Sequence, residues 1–138
     1  MIKILMGEKG SGKTKAFIDM VNKASDVENG NVVCITRDNR HLFDLKSKVR
    51  MSDISDFSIK SYASLAGFIS GIVSRDYDIT HIFIDSITKL TGLPVAQSDE
   101  FFNDIEAIAQ KFNIKFTITV SADKKEATEK IKGYLVEL

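Results

Sequence analysis

The chain has a single cysteine, a single proline, four arginines and no formal net charge, and each scarcity closes off a class of answer. Cys34 alone cannot form an internal disulfide or build a multi-cysteine zinc site. The 19 basic and 19 acidic residues cancel, so net charge gives no support to a nucleic-acid or anionic-membrane partner. No apolar run approaches bilayer length, and the N-terminus passes into a strand without a signal peptide; both point to a cytoplasmic protein without membrane contact. Repeats, low-complexity segments and an internal boundary are also missing. With 43% hydrophobic and 28% charged residues in 138 positions, the expectation is one compact globular domain spanning 1–138.

What is present concentrates near the N-terminus. Gly7-Glu8-Lys9-Gly10-Ser11-Gly12-Lys13-Thr14 follows a short apolar run and opens an amphipathic pattern. Glycine at the first and sixth positions, then lysine, then serine or threonine is the phosphate-binding (Walker A) pattern, which arises by chance in roughly one chain in a hundred of this composition. The setting is also the required one. Ile2, Ile4 and Leu5 predict a buried strand, and Phe17, Met20, Val21 and Ala24 give the inward stripe of a helix starting near Gly12. Gly7, Gly10 and Gly12 are expected to take conformations closed to other residues and to leave amide N–H groups open to phosphate at the positive end of the helix dipole. Lys13 would reach the β- and γ-phosphates, and the Thr14 hydroxyl would take one site on Mg²⁺. The expected nucleotide-binding set runs through Gly7, Glu8, Lys9, Gly10, Ser11, Gly12, Lys13, Thr14 and Lys15. The competing reading is a glycine-rich turn with a surface lysine.

Further along, Val32 to Thr36 is near-continuously apolar, as in a parallel strand covered on both faces. The polar cluster Arg37-Asp38-Asn39-Arg40-His41 stands at its carboxyl end. Leu42, Leu45 and Val49 then predict a helix, and residues 57–60 a short strand. A helix from Tyr62 to Arg75 carries Gly67 and Gly71, expected to permit close packing on the sheet. His81 to Asp85 reads as an apolar strand ending in a carboxylate. Residues 86–97 form a long connection, Ser98 caps a helix reaching Phe112, and Ile114 to Val120 alternates as a strand. A charged helical stretch, residues 124–132, precedes a short strand at 134–136. Strand and helix alternate, which predicts an α/β three-layer sandwich: a mainly parallel sheet, helices on both faces, right-handed crossovers. Ligands of such sheets bind beyond the carboxyl ends of the strands, where the polar clusters fall.

Asp85 at a strand end would hold Mg²⁺ through water and complete the site begun by Thr14; the alternative is an aspartate capping a turn. Ser86 follows it, where many ATPases of this kind carry a glutamate that polarises the attacking water. Asp38, just beyond the second strand, is the best substitute base, against the plainer reading of a surface turn aspartate. Arg37, Arg40 and Lys89 would steady phosphate or serve as solvated charge. His41 and His81 receive no role.

Ile84-Asp85-Ser86-Ile87-Thr88-Lys89-Leu90, the helix to Phe112 and the strand ending Thr119-Val120-Ser121 together resemble the core of RecA-like P-loop ATPases, in the recombinase, circadian-clock ATPase and replicative-helicase branch. That branch carries Asp-Ser after the second motif's strand and its catalytic glutamate at the end of an earlier strand; Ile35-Thr36-Arg37-Asp38 occupies the corresponding place, with aspartate one methylene shorter. The resemblance implies ATP and Mg²⁺ as ligands and Lys13, Asp38 and Asp85 as the catalytic set. It also implies Thr119 or Ser121 near the γ-phosphate as a sensor, and the strand ending at Ser121 lying between those of Gly7 and Asp85. The expectation is a weak ATPase or nucleotide-dependent switch. Three other readings compete. A nucleoside or nucleotide kinase of thymidine-kinase-like fold lacks here an arginine-bearing lid and the cysteines of a zinc ribbon. A non-hydrolysing, nucleotide-stabilised interaction module is favoured by Ser86 and small size. A helicase or recombinase fragment sits poorly with neutral charge. A protein partner or homo-oligomer is left open.

Overall fold

The computed structural model describes residues 1–38, 40 and 42–137, with Leu42 described by its backbone alone. Strands β1 (Ile2–Gly7), β2 (Asn31–Thr36), β3 (Arg50–Asp53), β4 (Ile79–Ile84) and β5 (Lys115–Ser121) form one five-stranded sheet in the order β1-β5-β4-β2-β3. Every pairing is parallel. Between the strands run α1 (Lys13–Val27), α2 (Tyr62–Arg75), α3 (Ile87–Thr91) and α4 (Asp99–Phe112), with a four-residue α5 (Glu129–Lys132) after β5. Among the described residues no helix is long and apolar enough to cross a membrane.

The strand residues sort by parity, as a pleated sheet covered on both sides demands. Ile4, Met6, Val33, Ile35, Ile82, Ile84, Phe116 and Ile118 join Leu65, Ile69, Phe102 and Ile105 of α2 and α4 in one buried cluster. Leu5, Val32, Cys34 and Phe83 join Phe17, Val21 and Ala24 of α1 in a second. Phe17 meets Phe83 edge-on, ring centroids 5.8 Å apart at 81°, an arrangement that contributes about 0.5–1.5 kcal/mol beyond its burial. The result is an α/β sheet with helices on each face, as expected.

Local chemistry explains the firm boundaries. Ser61 starts α2 reciprocally with Ser64: each side chain accepts the other residue's backbone N–H, at 3.0 and 3.1 Å. The inward stripe Tyr62, Leu65, Ala66, Ile69, Val73 leaves Gly67 and Gly71 on the outer side, where an added Cβ would meet nothing within 4 Å. The expectation that these glycines serve close packing on the sheet is therefore wrong. Ser98 precedes α4 but its hydroxyl donates to the Val95 carbonyl at 2.6 Å and makes no cap bond.

Four expected elements come out differently. The helix expected through Leu42, Leu45 and Val49 is only a 3₁₀ turn, Leu42–Asp44. Asn22 of α1 takes the place of helical bonding: its amide donates to Asp44 O and its carbonyl oxygen accepts from Lys46 N, each at 2.9 Å, and Leu45 and Val49 pack under α1. The next strand is β3 at Arg50–Asp53; residues 57–60 form none, because Phe57 N–H turns back to Ile54 O at 3.0 Å. The charged stretch after β5 is divided by two caps, Asp123 over a 3₁₀ turn (Lys124–Glu126) and Thr128 over α5. Residues 134–136 make a single parallel bridge, Ile4 with Leu135, rather than a strand.

Candidate functional site

Residues 7–14 join β1 to α1 at the carboxyl edge of the sheet. Gly10 (φ 88°) and Gly12 (φ 84°) are left-handed, with open space where a Cβ would sit, so backbone conformation alone selects glycine there. Gly7 differs from expectation: it is the last residue of β1, paired with Ser121, and has no positive φ. Ser11 N–H donates to Glu8 O at 3.2 Å and closes the turn. Gly12 caps α1 without a side-chain acceptor, and the first turn holds no acidic residue. Among the described residues no side chain caps the amides at the start of that 15-residue helix, and Gly12, Lys13, Thr14 and Lys15 there line the cleft.

That cleft, about 870 Å³, is where the strand tips converge. It brings together Glu8, Lys9, Gly10, Gly12, Lys13, Thr14 and Lys15 with Asp38, Asp85 and Ser121. Gly7 and Ser11 do not line it: Gly7 ends β1 and Ser11 is exposed. Arg37, Arg40, Lys89, Asp123 and Glu126 also line it. Asp123 and Glu126 carried no motif that would have marked them. Asn39 and His41 of the polar cluster lie outside the described residues.

Lys13 is the one buried lysine of this group, 8% exposed. Burial, and then the neighbouring Lys89, push its ammonium below the usual lysine range, while Asp85 pulls it upward. A desolvated cation beside a second cation is poorly compensated until an anion arrives.

Asp85 follows β4, its N–H donating to Ile35 O at 2.9 Å, and its Oδ1 accepts from the Thr119 hydroxyl at 3.0 Å. Ser86 is 4% exposed and left-handed (φ 57°), rare for a residue with a side chain. Its N–H donates to Thr119 Oγ1 at 2.7 Å and its hydroxyl to Ser121 Oγ at 2.9 Å. Of the two residues that the resemblance offers as sensors, Ser121 lines the cleft, whereas Thr119 is fully buried beneath it.

At the β2 tip, Asp38 accepts from both the N–H and the guanidinium of Arg40, each at 2.9 Å. Arg37 crosses to α3 and donates to the carbonyls of Lys89 and Leu90, at 3.0 and 2.5 Å. These bonds satisfy the orphan acceptors at the end of a five-residue helix and hold Lys89 at the cleft.

Among the described residues no group of three or more His, Cys, Asp or Glu side chains is placed to hold a metal. Thr14, Asp38 and Asp85 do share a recess of about 20 Å³. Phe17, Ile18, Leu45 and Met51 line it as well, so the recess itself has no room for a hydrated ion, and its oxygen donors meet solvent on the side of the larger cleft. No protein-family model matches the chain, and no curated protein matches its sequence.

Proposed function

We propose that the chain binds ATP with Mg²⁺ as a minimal RecA-like P-loop domain and works as a weak ATPase or nucleotide-dependent switch. The observation that carries this reading is the convergence of left-handed Gly10 and Gly12, buried Lys13 and the strand-tip Asp85 on one cleft. In this reading the loop amides and the α1 dipole bind the phosphates and Lys13 supplies the charge that its burial leaves short of a partner. Thr14 and Asp85 hold the metal. Bound Mg²⁺ offsets charge on the phosphate oxygens. Asp38 is the base that accepts a proton from the attacking water; since Arg40 already holds its carboxylate, turnover is slow.

A second reading, a non-hydrolysing nucleotide-stabilised module, is favoured by Ser86. The residue after Asp85 carries no carboxylate, and its N–H and hydroxyl are both engaged. Calorimetry and turnover with ATP and Mg²⁺ separate the possibilities. Lys13→Ala is expected to weaken binding roughly 10- to 150-fold, the loss of a charge-assisted bond worth about 1.5–3 kcal/mol. Asp38→Ala is expected to bind normally and lose turnover. ATP that stays bound and intact for hours would favour the module, and phosphate transfer to added nucleosides a kinase. No heat with any nucleoside triphosphate would refute the proposal.

A further inference from the structure

Thr119 exposes no surface, yet its hydroxyl is the junction of the cleft floor. It sits in β5 beside β4, where Ile84 pairs with Ile118, and so directly under the β4 tip. A backbone N–H can only donate, so the 2.7 Å bond from Ser86 N uses Thr119 Oγ1 as acceptor. The hydroxyl's one proton is then committed to Asp85 Oδ1, at 3.0 Å. Both bonds have a forced direction. Asp85 Oδ1 is occupied from inside the protein, and Oδ2 is left without a protein donor among the described residues. The same hydroxyl helps hold Ser86 in its left-handed conformation, from which α3 departs with Lys89.

Resting on the reading above, we propose that Thr119 is a positioning residue of this site: its hydroxyl fixes the orientation of the Asp85 carboxylate toward Mg²⁺, and so makes nucleotide affinity depend on the metal. Without it the carboxylate rotates freely and the Ser86 amide is buried without a partner. Removing the hydrogen-bond partner of a metal ligand commonly costs 10- to 100-fold in metal affinity. This differs from a sensor, which touches the nucleotide. Thr119 acts only through Asp85 and Ser86.

The test measures ATP affinity with Mg²⁺ and with EDTA for the native chain, Thr119→Val, Thr119→Ala and Thr119→Ser, each with a urea unfolding curve. The ratio of the two affinities is expected to fall about tenfold or more in the Val and Ala variants. Affinity in EDTA should change little, and Thr119→Ser, which keeps the hydroxyl, should keep the native ratio. A merely structural role would lower stability and both affinities together and leave the ratio intact. Either hydroxyl-free variant, folded and retaining the native ratio, would overturn the inference, as would a folded Thr119→Ser that loses it. A native chain that binds no nucleotide would instead fail the functional reading itself, and one that binds ATP equally well in EDTA would remove the metal from it.

Discussion

Lowering the pH from 7 to 5 acts on His81, whose ring stacks on Phe83 with centroids 4.1 Å apart at 18° and whose Nε2 lies 2.9 Å from Thr117 Oγ1. The side chain is 13% exposed. Burial pushes the imidazole from 6.5 down to about 4; Glu28, whose Oε2 is 4.0 Å from Nδ1, pulls upward, while Lys115, Lys3 and the terminal amine push down. An unfolded chain titrates near 6.5 and takes up this proton first, so stability is whole above that pH and is lost as pH falls toward 4. At about 1.4 kcal/mol per pH unit the full loss is about 3 kcal/mol, of which about 2 is gone by pH 5. Glu28 sits below its ordinary 4.5: burial pushes it up, but contacts led by the Lys115 ammonium at 2.7 Å prevail. Its contribution is therefore lost only at lower pH, and the window from 6.5 to 5 separates Glu28 from His81. Urea unfolding at pH 7, 6 and 5 should show this decline in the native chain and a nearly flat profile in His81→Phe, which keeps the ring and removes the titration. Stability that stays level or rises in the native chain would mean an imidazolium held by Glu28. A His81→Phe decline as steep as the native one would place the titration elsewhere.

Two glycine substitutions should move stability in opposite directions. At Gly30 an added Cβ would lie 2.2 Å from Asp78 O and 2.4 Å from Thr80 Cγ2, so Gly30→Ala should cost about 1–3 kcal/mol or more. Gly67→Ala, in open space on α2, should raise stability by about 0.5–1 kcal/mol, read by the same unfolding curves; a destabilised Gly67→Ala would show that the outer side of α2 is covered. Arg37→Ala leaves two α3 carbonyls without their donor and should cost about 1 kcal/mol at this exposed position, with faster amide exchange in residues 87–92; unchanged exchange would mean that α3 stands without the clamp.

Where local chemistry and long periodicity agree, the elements were legible. The helix Tyr62–Arg75 emerges at its expected bounds because a serine pair starts it and its apolar stripe runs unbroken. β3 was hidden because Arg50-Met51-Ser52-Asp53 neither alternates nor runs long; it becomes a strand by lying beside Val33 to Thr36 of β2, a contact no local pattern records. Leu45 and Val49 have helical spacing, but that spacing serves a turn docked under α1. The loop at 7–14 was readable because its chemistry is contiguous, although Gly7 proved to be a strand residue. The strand ending at Ser121 does lie between β1 and β4, as the resemblance implied, but the linkage of Asp85, Thr119 and Ser86 was not readable, since it depends on which side chains meet across that pairing.

Residues 134–136 run along the outer flank of β1: Ile4 N–H donates to Tyr134 O at 2.9 Å, and Val136 N–H donates to Ile4 O at 3.0 Å. An added strand therefore finds that flank already taken, and the opposite flank, at β3, is where the sheet can be lengthened. Anything fused just after Val136, a fluorophore or a purification handle, would pull on the very strand that feeds residues 7–14.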